Sequence, residues 1–501
     1  MRIDIVNFGG QKFRYLPMVE LFLADALTKR GVEEVYIHTL MKSEKFGPLM
    51  DTLCANDGPV IFWESLSSKS VYYISNGMDF CREFTNVSER PTFFGGYWAS
   101  TVADRFPDFK IFDSIIRGYG IEVITDVLMS GTTADIFIDA TVPCDWNAYN
   151  LALDCLVSPK KYYRESDRFL SGYISSFACP NKCGFCYNSV LKKVNSDYAS
   201  RNLDKVLADI DALDELYSFE RVQFKDLNFF HETERAFSIL EYLRSKGKVI
   251  QRALDLHVNQ ASEGLFARAA HYGISELWIG LETFSPNSLT RMDKEYDTSK
   301  INDIFKWADR YNIEVYGNIM LGFPWQNKNE VDSTISIALD CINRHEHVRI
   351  MFNAVRPVIG SPIQQQHFDS VLENRSFDDM VDAFSFRISS TQSELYGLGF
   401  DFIDIEKTHK AFFLINRFAS IALHSGPTGK WILKRLSLLI ITQLKPPYFS
   451  FEFTKKFFLM EIKKFERILA LLRTIFIAGN RTKFCKRICK KGIALISEKQ
   501  T

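Results

Sequence analysis

Between residue 2 and about residue 355 the chain alternates short apolar β-type runs with amphipathic helical stretches. That rhythm restricts its fold more than any other feature. Arg2–Asn7, Val35–Thr39, Pro59–Trp63, Thr92–Gly95 and Ser114–Arg117 read as strands, with helical stretches at Pro17–Arg30, Ser70–Phe84 and Glu122–Met129. Strand, helix and strand repeated in series imply βαβ crossovers and a parallel sheet. The expected fold class is therefore α/β, opening with a Rossmann-like domain over residues 1–145. Ligands on such sheets bind outside the carboxyl ends of the strands. Glycines stand there: Gly9-Gly10, Gly95-Gly96, then Gly118 and Gly120.

A second series follows. Strands are expected at Phe169–Ser175, Arg221–Asp226, Arg252–Leu256, Glu276–Leu281, Glu314–Leu321 and Val348–Val355. Helices fit between them at Asn202–Tyr217, Glu232–Lys246, Glu263–His271, Thr298–Tyr311 and Lys328–Arg344. Six βα units in residues 165–370 predict a partial (β/α)6 TIM-like barrel, whose chemistry sits at the C-terminal strand ends. From about residue 375 helical periodicity takes over. Residues 428–501 carry 17 Lys or Arg against 4 Asp or Glu, so a helical, basic C-terminal domain over 375–501 is expected. Its Phe- and Leu-faced stretch after Phe453 reads as a solvated cap or as a peripheral contact with an anionic membrane.

The 501 residues are too many for one ordinary core, and 46% apolar content excludes wholesale disorder. A formal net charge of zero argues against a nucleic-acid partner. The first strand begins at Arg2 and no uninterrupted run of about 20 apolar residues occurs, so a cytoplasmic protein is expected, with membrane association left to the basic tail. Of ten cysteines, three cluster: Cys179, Cys183 and Cys186, on a loop between a strand and a helix. Pro180 and Gly184 let the backbone double back. Three thiolates are one short of a closed four-ligand site. A cluster held by three keeps one iron open; a zinc ion would need a fourth ligand, such as His231 or His257.

The Cys-x-x-x-Cys-x-x-Cys spacing, with Phe185 before the last Cys, resembles the signature of the radical-SAM superfamily. The resemblance implies a 4Fe-4S cluster on Cys179, Cys183 and Cys186, and S-adenosylmethionine (SAM) on the fourth iron. Phe185 and Tyr187 would flank these cofactors. Asp226 and Asn228 lie in a stretch similar to the family's second-strand turn. Glu282, in Ile279-Gly280-Leu281-Glu282-Thr283 with Met292 and Lys294 following, resembles the fourth-strand motif, and Asn318 the fifth. Asp226 and Glu282 also suit helix N-caps. Gly95, Gly96, Gly118 and Gly120 resemble the turns that line cobalamin in the branch with an N-terminal corrinoid domain. The Asp-x-His-x-x-Gly loop that supplies a lower axial histidine elsewhere is absent; His38 lies in Ile-His-Thr-Leu. The implied function is reductive cleavage of SAM, leading to cobalamin-dependent methyl transfer to an unactivated carbon. Radical oxidation, cyclisation or rearrangement without methylation is the alternative within enzymes, and a non-catalytic metal module at a membrane surface the one outside them. A one-electron reductant such as flavodoxin or ferredoxin is implied, and a small-molecule or lipid-like substrate.

Overall fold

The computed structural model describes residues 1–9, 15–41, 44–64, 71–101, 103–131, 136–140, 143–194, 197–250, 254–355 and 358–367. The chain divides into two compact units, Met1–Asn416 and Arg417–Thr501. The basic segment, with Cys485 and Cys489, lies outside the described residues. Among those residues no helix is long and apolar enough to cross a membrane.

The first unit opens with a six-stranded, wholly parallel sheet. Its strands are β1 (Arg2–Gly9), β2 (Glu34–Met41), β3 (Val60–Glu64), β4 (Thr92–Gly96), β5 (Ser114–Arg117) and β6 (Phe137–Asp139), in spatial order β2-β1-β3-β4-β5-β6. The order reverses between β1 and β3, the switch point at which open α/β sheets of this kind bind ligands. Helices α1 (Met18–Lys29), α2 (Gly47–Cys54), α3 (Val71–Val87), α4 (Tyr97–Thr101) and α5 (Ile121–Ser130) connect the strands. Both faces are covered. Ile5, Ile61 and Trp63 share one apolar layer with Phe22, Leu23 and Ile124, while Val6, Phe62 and Phe94 share another with Phe80 and Phe84. The short α2 and the edge strand β6 escaped the sequence reading because neither spans enough residues to show a period.

After a short antiparallel strand, β7 (Tyr163–Arg164), come the barrel strands β8 (Phe169–Tyr173), β11 (Arg221–Phe224), β14 (Glu276–Glu282), β15 (Glu314–Leu321) and β16 (Val348–Ala354). Between β11 and β14 the third barrel strand is split into β12 (Val249–Ile250), paired with β11, and β13 (Leu254–Leu256), paired with β14. The expected strand from Arg252 is thus described only from Leu254. A small antiparallel pair, β9 (Ser176–Phe177) with β10 (Ala199–Ser200), closes the loop that follows β8. Helices α6 (Asn188–Leu191), α7 (Leu203–Tyr217), α8 (Thr233–Ser245), α9 (Glu263–His271), α10 (Pro286–Arg291), α11 (Lys300–Tyr311), α12 (Lys328–Arg344) and α13 (Pro362–His367) follow in chain order. Strand residues Leu277, Ile279 and Leu281 pack outward with Phe266, Ile304 and Phe305. Their alternates must face the concave side.

The sheet and the barrel share one continuous core. Trp146, from the connection between them, stacks on Phe177 at 3.6 Å between ring centroids, and Phe22 of α1 and Tyr119 after β5 close on the same pair at 5.8 and 5.0 Å from Trp146. Arg201, fully buried, pairs with Asp209 at 2.9 Å and donates to the carbonyls of Trp146 and Tyr149. The Leu16 N–H donates to the Ser171 carbonyl at 3.0 Å, which ties the segment after β1 to β8.

Candidate active site at the cysteine loop

The cysteine loop is held by backbone groups more than by its thiols. Asn188, buried, receives the Cys179 N–H on its Oδ1 at 2.8 Å; its Nδ2 donates to the carbonyls of Cys179 at 2.7 Å and Asn181 at 3.0 Å. A side-chain amide thus copies a strand partner and closes the turn. Gly184 is gripped from both sides: its N–H donates to the Met292 carbonyl at 2.8 Å, and its carbonyl accepts from Ile363 N–H at 3.1 Å. The Cys186 N–H donates to the Cys183 carbonyl at 3.0 Å, and Lys192 Nζ reaches the Pro180 carbonyl at 2.9 Å. Phe185 lies against Phe323, Met292 and Ile363, so its ring anchors the loop to the ends of β15 and α10. Ala178, at φ +58°, is the left-handed residue that turns the chain into the loop.

The three thiols are half-buried and free of disulfides. Each of Cys183 and Cys186 lies within electrostatic reach of the other cysteines of the loop. Burial pushes Cys183 up to about 11 and Cys186 up to about 12, while Lys294 pulls both down. Among the described residues no three His, Cys, Asp or Glu side chains gather as ligands of one ion.

Lys294 is itself buried, and its Nζ stands 2.7 Å from Glu282 Oε1. Burial pulls its pKa down, but Glu282 and Cys183 outweigh that and hold it above the ordinary value. Glu282 is set by strain: φ is +60°, at a bulge where the register with β15 slips between Gly280 and Glu282. A Cβ at Gly280 would meet Glu282 Oε1 and Lys294 Nζ, so a side chain there would push the ends of the pair aside. Tyr296 Oη donates into the carbonyls of Leu281 (2.6 Å) and Thr283 (3.0 Å) across the bulge. Glu282 is not a helix cap: Ser285 caps α10, its Oγ accepting from Ser288 N–H.

Asp226 is spent on architecture. Its Oδ1 accepts from the hydroxyls of Ser175 (2.6 Å) and Ser176 (2.7 Å), and its Oδ2 from Ser175 N–H (3.0 Å). It is no N-cap either, since α8 begins at Thr233 after Glu232. Asn228, two residues on, is different: it is 3% exposed, and neither its Oδ1 nor its Nδ2 has a hydrogen-bond partner. A buried amide left so costs about 1–3 kcal/mol per group, which a polar ligand at this strand end would recover. Asn318 is half-buried on the concave face of β15, level with Gly280. Tyr187 packs against the main core and lies in electrostatic range of Cys186, Tyr119 and Asp255. His257 caps the turn Val258–Gln260 by accepting from Asn259 N–H, and Asn259 Nδ2 donates to the Glu295 carbonyl.

At the N-terminal sheet the four glycines have reasons inside the fold. A Cβ at Gly95 would meet the Trp63 ring, and Gly96, at φ +109°, lies against the Glu64 carbonyl. The Gly118 N–H donates to Ser100 Oγ at 2.8 Å, and Gly120 heads α5 with Ile116 where a Cβ would go. Packing thus requires Gly95, Gly96 and Gly120 to be glycine, and a φ of +86° favours it at Gly118. His38 is taken as well: its Nε2 is 2.8 Å from Asp4 Oδ1, inside the sheet. What the sheet does offer is orientation. Tyr119, between Gly118 and Gly120, packs on Phe177 just before Cys179, and α4, after Gly95-Gly96, lies beside α6, after Cys186. The carboxyl ends of β4 and β5 therefore face the cysteine loop.

Residues 173–338 match the Radical SAM superfamily. Those residues therefore carry a radical-SAM domain. The matched span starts at the end of β8 and contains all three cysteines, Asp226, Asn228, Glu282 and Asn318. Among curated relatives, an uncharacterized methyltransferase of Pyrococcus horikoshii is 24% identical over 165 residues, 33% of this chain and 36% of the relative. Heme chaperone HemW of Buchnera aphidicola is 20% identical over 190 residues, 35% and 49% respectively. The chain thus matches less than half the length of either. In fold it is similar to the radical SAM methyltransferase TsrM of Kitasatospora setae (TM-score 0.58, 12% identity, 75% of this chain and 77% of that one). It is also similar to the cobalamin-dependent SAM radical enzyme OxsB (TM-score 0.61, 11% identity, 88% and 72%).

The site fits a 4Fe-4S cluster and SAM. One loop offers three soft thiols, a buried cation stands beside two of them, and the neighbouring strand end holds an amide with its hydrogen-bonding capacity unspent. Sequence reasoning gave Asn188 no role, and Lys294 none beyond its place in a motif. Lys294 was visible as part of the motif after β14, but nothing in its spacing showed that it would fold back beneath Glu282.

Proposed function

We propose that the protein transfers a methyl group to an unactivated carbon, with a corrinoid held between the N-terminal sheet and the cysteine loop. The observation that carries the reading is the orientation of the β2-β1-β3-β4-β5-β6 sheet, whose carboxyl ends look onto the loop rather than away from it. The similarity in fold to a cobalamin-dependent radical enzyme over 88% of the chain supports it. When bound, the cluster, SAM and corrinoid supply the electron, the hydrogen-abstracting radical and the methyl group.

The residues of the chain do the positioning. Cys179, Cys183 and Cys186 hold the iron, and Asn188 keeps their loop in one shape. Glu282, pinned by Lys294, presents a fixed carboxylate edge to the amine or ribose of SAM, and Asn228 and Asn318 offer amide contacts. Phe185 and Phe323 close the apolar side and exclude water. His38, with its Nε2 engaged by Asp4, would stay part of the sheet core if a corrinoid bound. A one-electron reductant such as flavodoxin or ferredoxin completes the cycle.

Anaerobic reconstitution with iron, sulfide and hydroxocobalamin tests this. A brown protein that retains cobalt, and forms both 5′-deoxyadenosine and S-adenosylhomocysteine from SAM, is the expected result. A protein that cleaves SAM yet retains no cobalt would sink methyl transfer and leave radical oxidation or rearrangement.

A further inference from the structure

A closed (β/α) barrel fills its interior with side-chain layers. This one does not. Its inward residues Trp278, Tyr316, Asn318, Met320, Met351 and Asn353 all stay partly exposed, while the outward Leu277, Ile279, Val315 and Ile319 are fully buried. One layer runs across the hollow in strict register: Asp255 of β13 beside Trp278 of β14, then Tyr316 of β15 and Arg349 of β16.

The members of that layer are unequally engaged. Arg349 donates to Glu314 at 2.9 Å. Trp278 is 42% exposed, and its Nε1 donates to Glu276 Oε1 at 2.9 Å, which fixes the indole and leaves ring surface open. Tyr316 lies against it, 6.2 Å between centroids. Asp255 has no hydrogen bond or ion pair within the described residues. It is open to the hollow, yet burial pushes its carboxyl up to about 7, with Lys225 pulling down and Asp226 pushing up. Lys225, the nearest cation, places its Nζ 4.7 Å over the Tyr15 ring. Asp255 also lies in electrostatic range of Tyr187, directly after Cys186, so it stands at the cluster end of the hollow.

We propose that the hollow recognises its substrate through a protonated amine, held by Asp255 against the face of Trp278. A carboxylate without a partner among the described residues, beside an anchored and exposed indole, is the combination that binds organic cations. The ammonium would give the carboxylate an ion-pair partner that it lacks among the described residues, and the indole face would add its quadrupole. The inference rests on the radical-SAM reading for the hollow being the substrate site.

The test uses the full-length, cluster-reconstituted protein at pH 8, titrated anaerobically with phenethylamine and with its neutral isostere 2-phenylethanol. The amine should bind at least about tenfold more tightly than the alcohol. Asp255→Asn should abolish that preference with iron content unchanged, Asp255→Glu should keep part of it, and Trp278→Leu should weaken the amine but not the alcohol. Equal binding of the two probes, failure of the amine to bind, or a preference that survives Asp255→Asn would overturn the proposal. Loss of the preference in a protein that still cleaves SAM removes this inference alone. Amine preference in a protein that never cleaves SAM removes the radical reading alone.

Discussion

Asn188 shows how much of the cysteine loop is decided by a residue that carries no thiol. Three hydrogen bonds from one buried amide set the path of the chain around Cys179. Asn188→Ala should cost about 2–4 kcal/mol through the lost bonds and the stranded Cys179 N–H. Iron retained after reconstitution should fall well below that of wild type, with far-UV circular dichroism unchanged. Lys294 and Glu282 make a second case, because a buried pair is strongest when judged by removing one partner. Lys294→Met leaves a carboxylate enclosed and uncompensated, a loss of about 3–5 kcal/mol, whereas Glu282→Leu with Lys294→Met together should recover much of it. Denaturant midpoints of the two variants measure the difference. The cysteines, Phe185 and Glu282 were legible in the sequence because each belongs to a spaced motif. Asn188 lay beside the motif with nothing to distinguish it from an ordinary helix-start asparagine.

At the scale of elements, strand ends carry the site, and short clasps fix them. Asp226 joins β11 to the entry of the cysteine loop, and β9 with β10 closes the far side. Asp226→Ala strands the Ser175 N–H and two hydroxyls. Amide hydrogen exchange should accelerate over residues 174–178 and stay unchanged in β1 and β3; a uniform acceleration would mean that Asp226 serves global stability instead. In the N-terminal sheet, Asp4 of β1 meets His38 of β2 and Arg90. Burial alone would raise the Asp4 carboxyl, but hydrogen bonds from His38, Arg2 and Arg90 hold it well below the usual range. A carboxylate depressed on folding stabilises above its unfolded pKa, near 3.9, and that contribution is lost as pH falls below it. Asp4→Asn should therefore flatten the acid limb of stability measured between pH 6 and pH 3. Strand positions followed from apolar runs, and α9, α12, β5 and β15 begin and end where their patterns do. The bulge at Glu282 was not legible, because a register slip is a property of two strands.

At the scale of the described molecule, an aromatic knot joins the sheet to the barrel. Trp146, Phe177, Phe22 and Tyr119 come from the connection, the loop entry, α1 and the turn after β5, and together they make the sheet and the barrel one core. Trp146→Ala should cost about 3–5 kcal/mol. The first unit should also unfold in one transition in the wild type, with near- and far-UV signals superimposed; separate melting of the N-terminal sheet would contradict a shared core. The shared core holds the sheet ends facing the cysteine loop. The sequence by itself determined the α/β class, the order of the elements and the three-thiol loop, because alternation and spacing are local and one-dimensional. Only the tertiary structure decided that Gly95 and Gly120 serve packing, that Asp226 is an anchor, that Lys294 stands under Glu282, and that Asp255 looks into a hollow. Each of those depends on which residue a folded chain brings alongside another, and partners far apart in sequence leave no periodic mark.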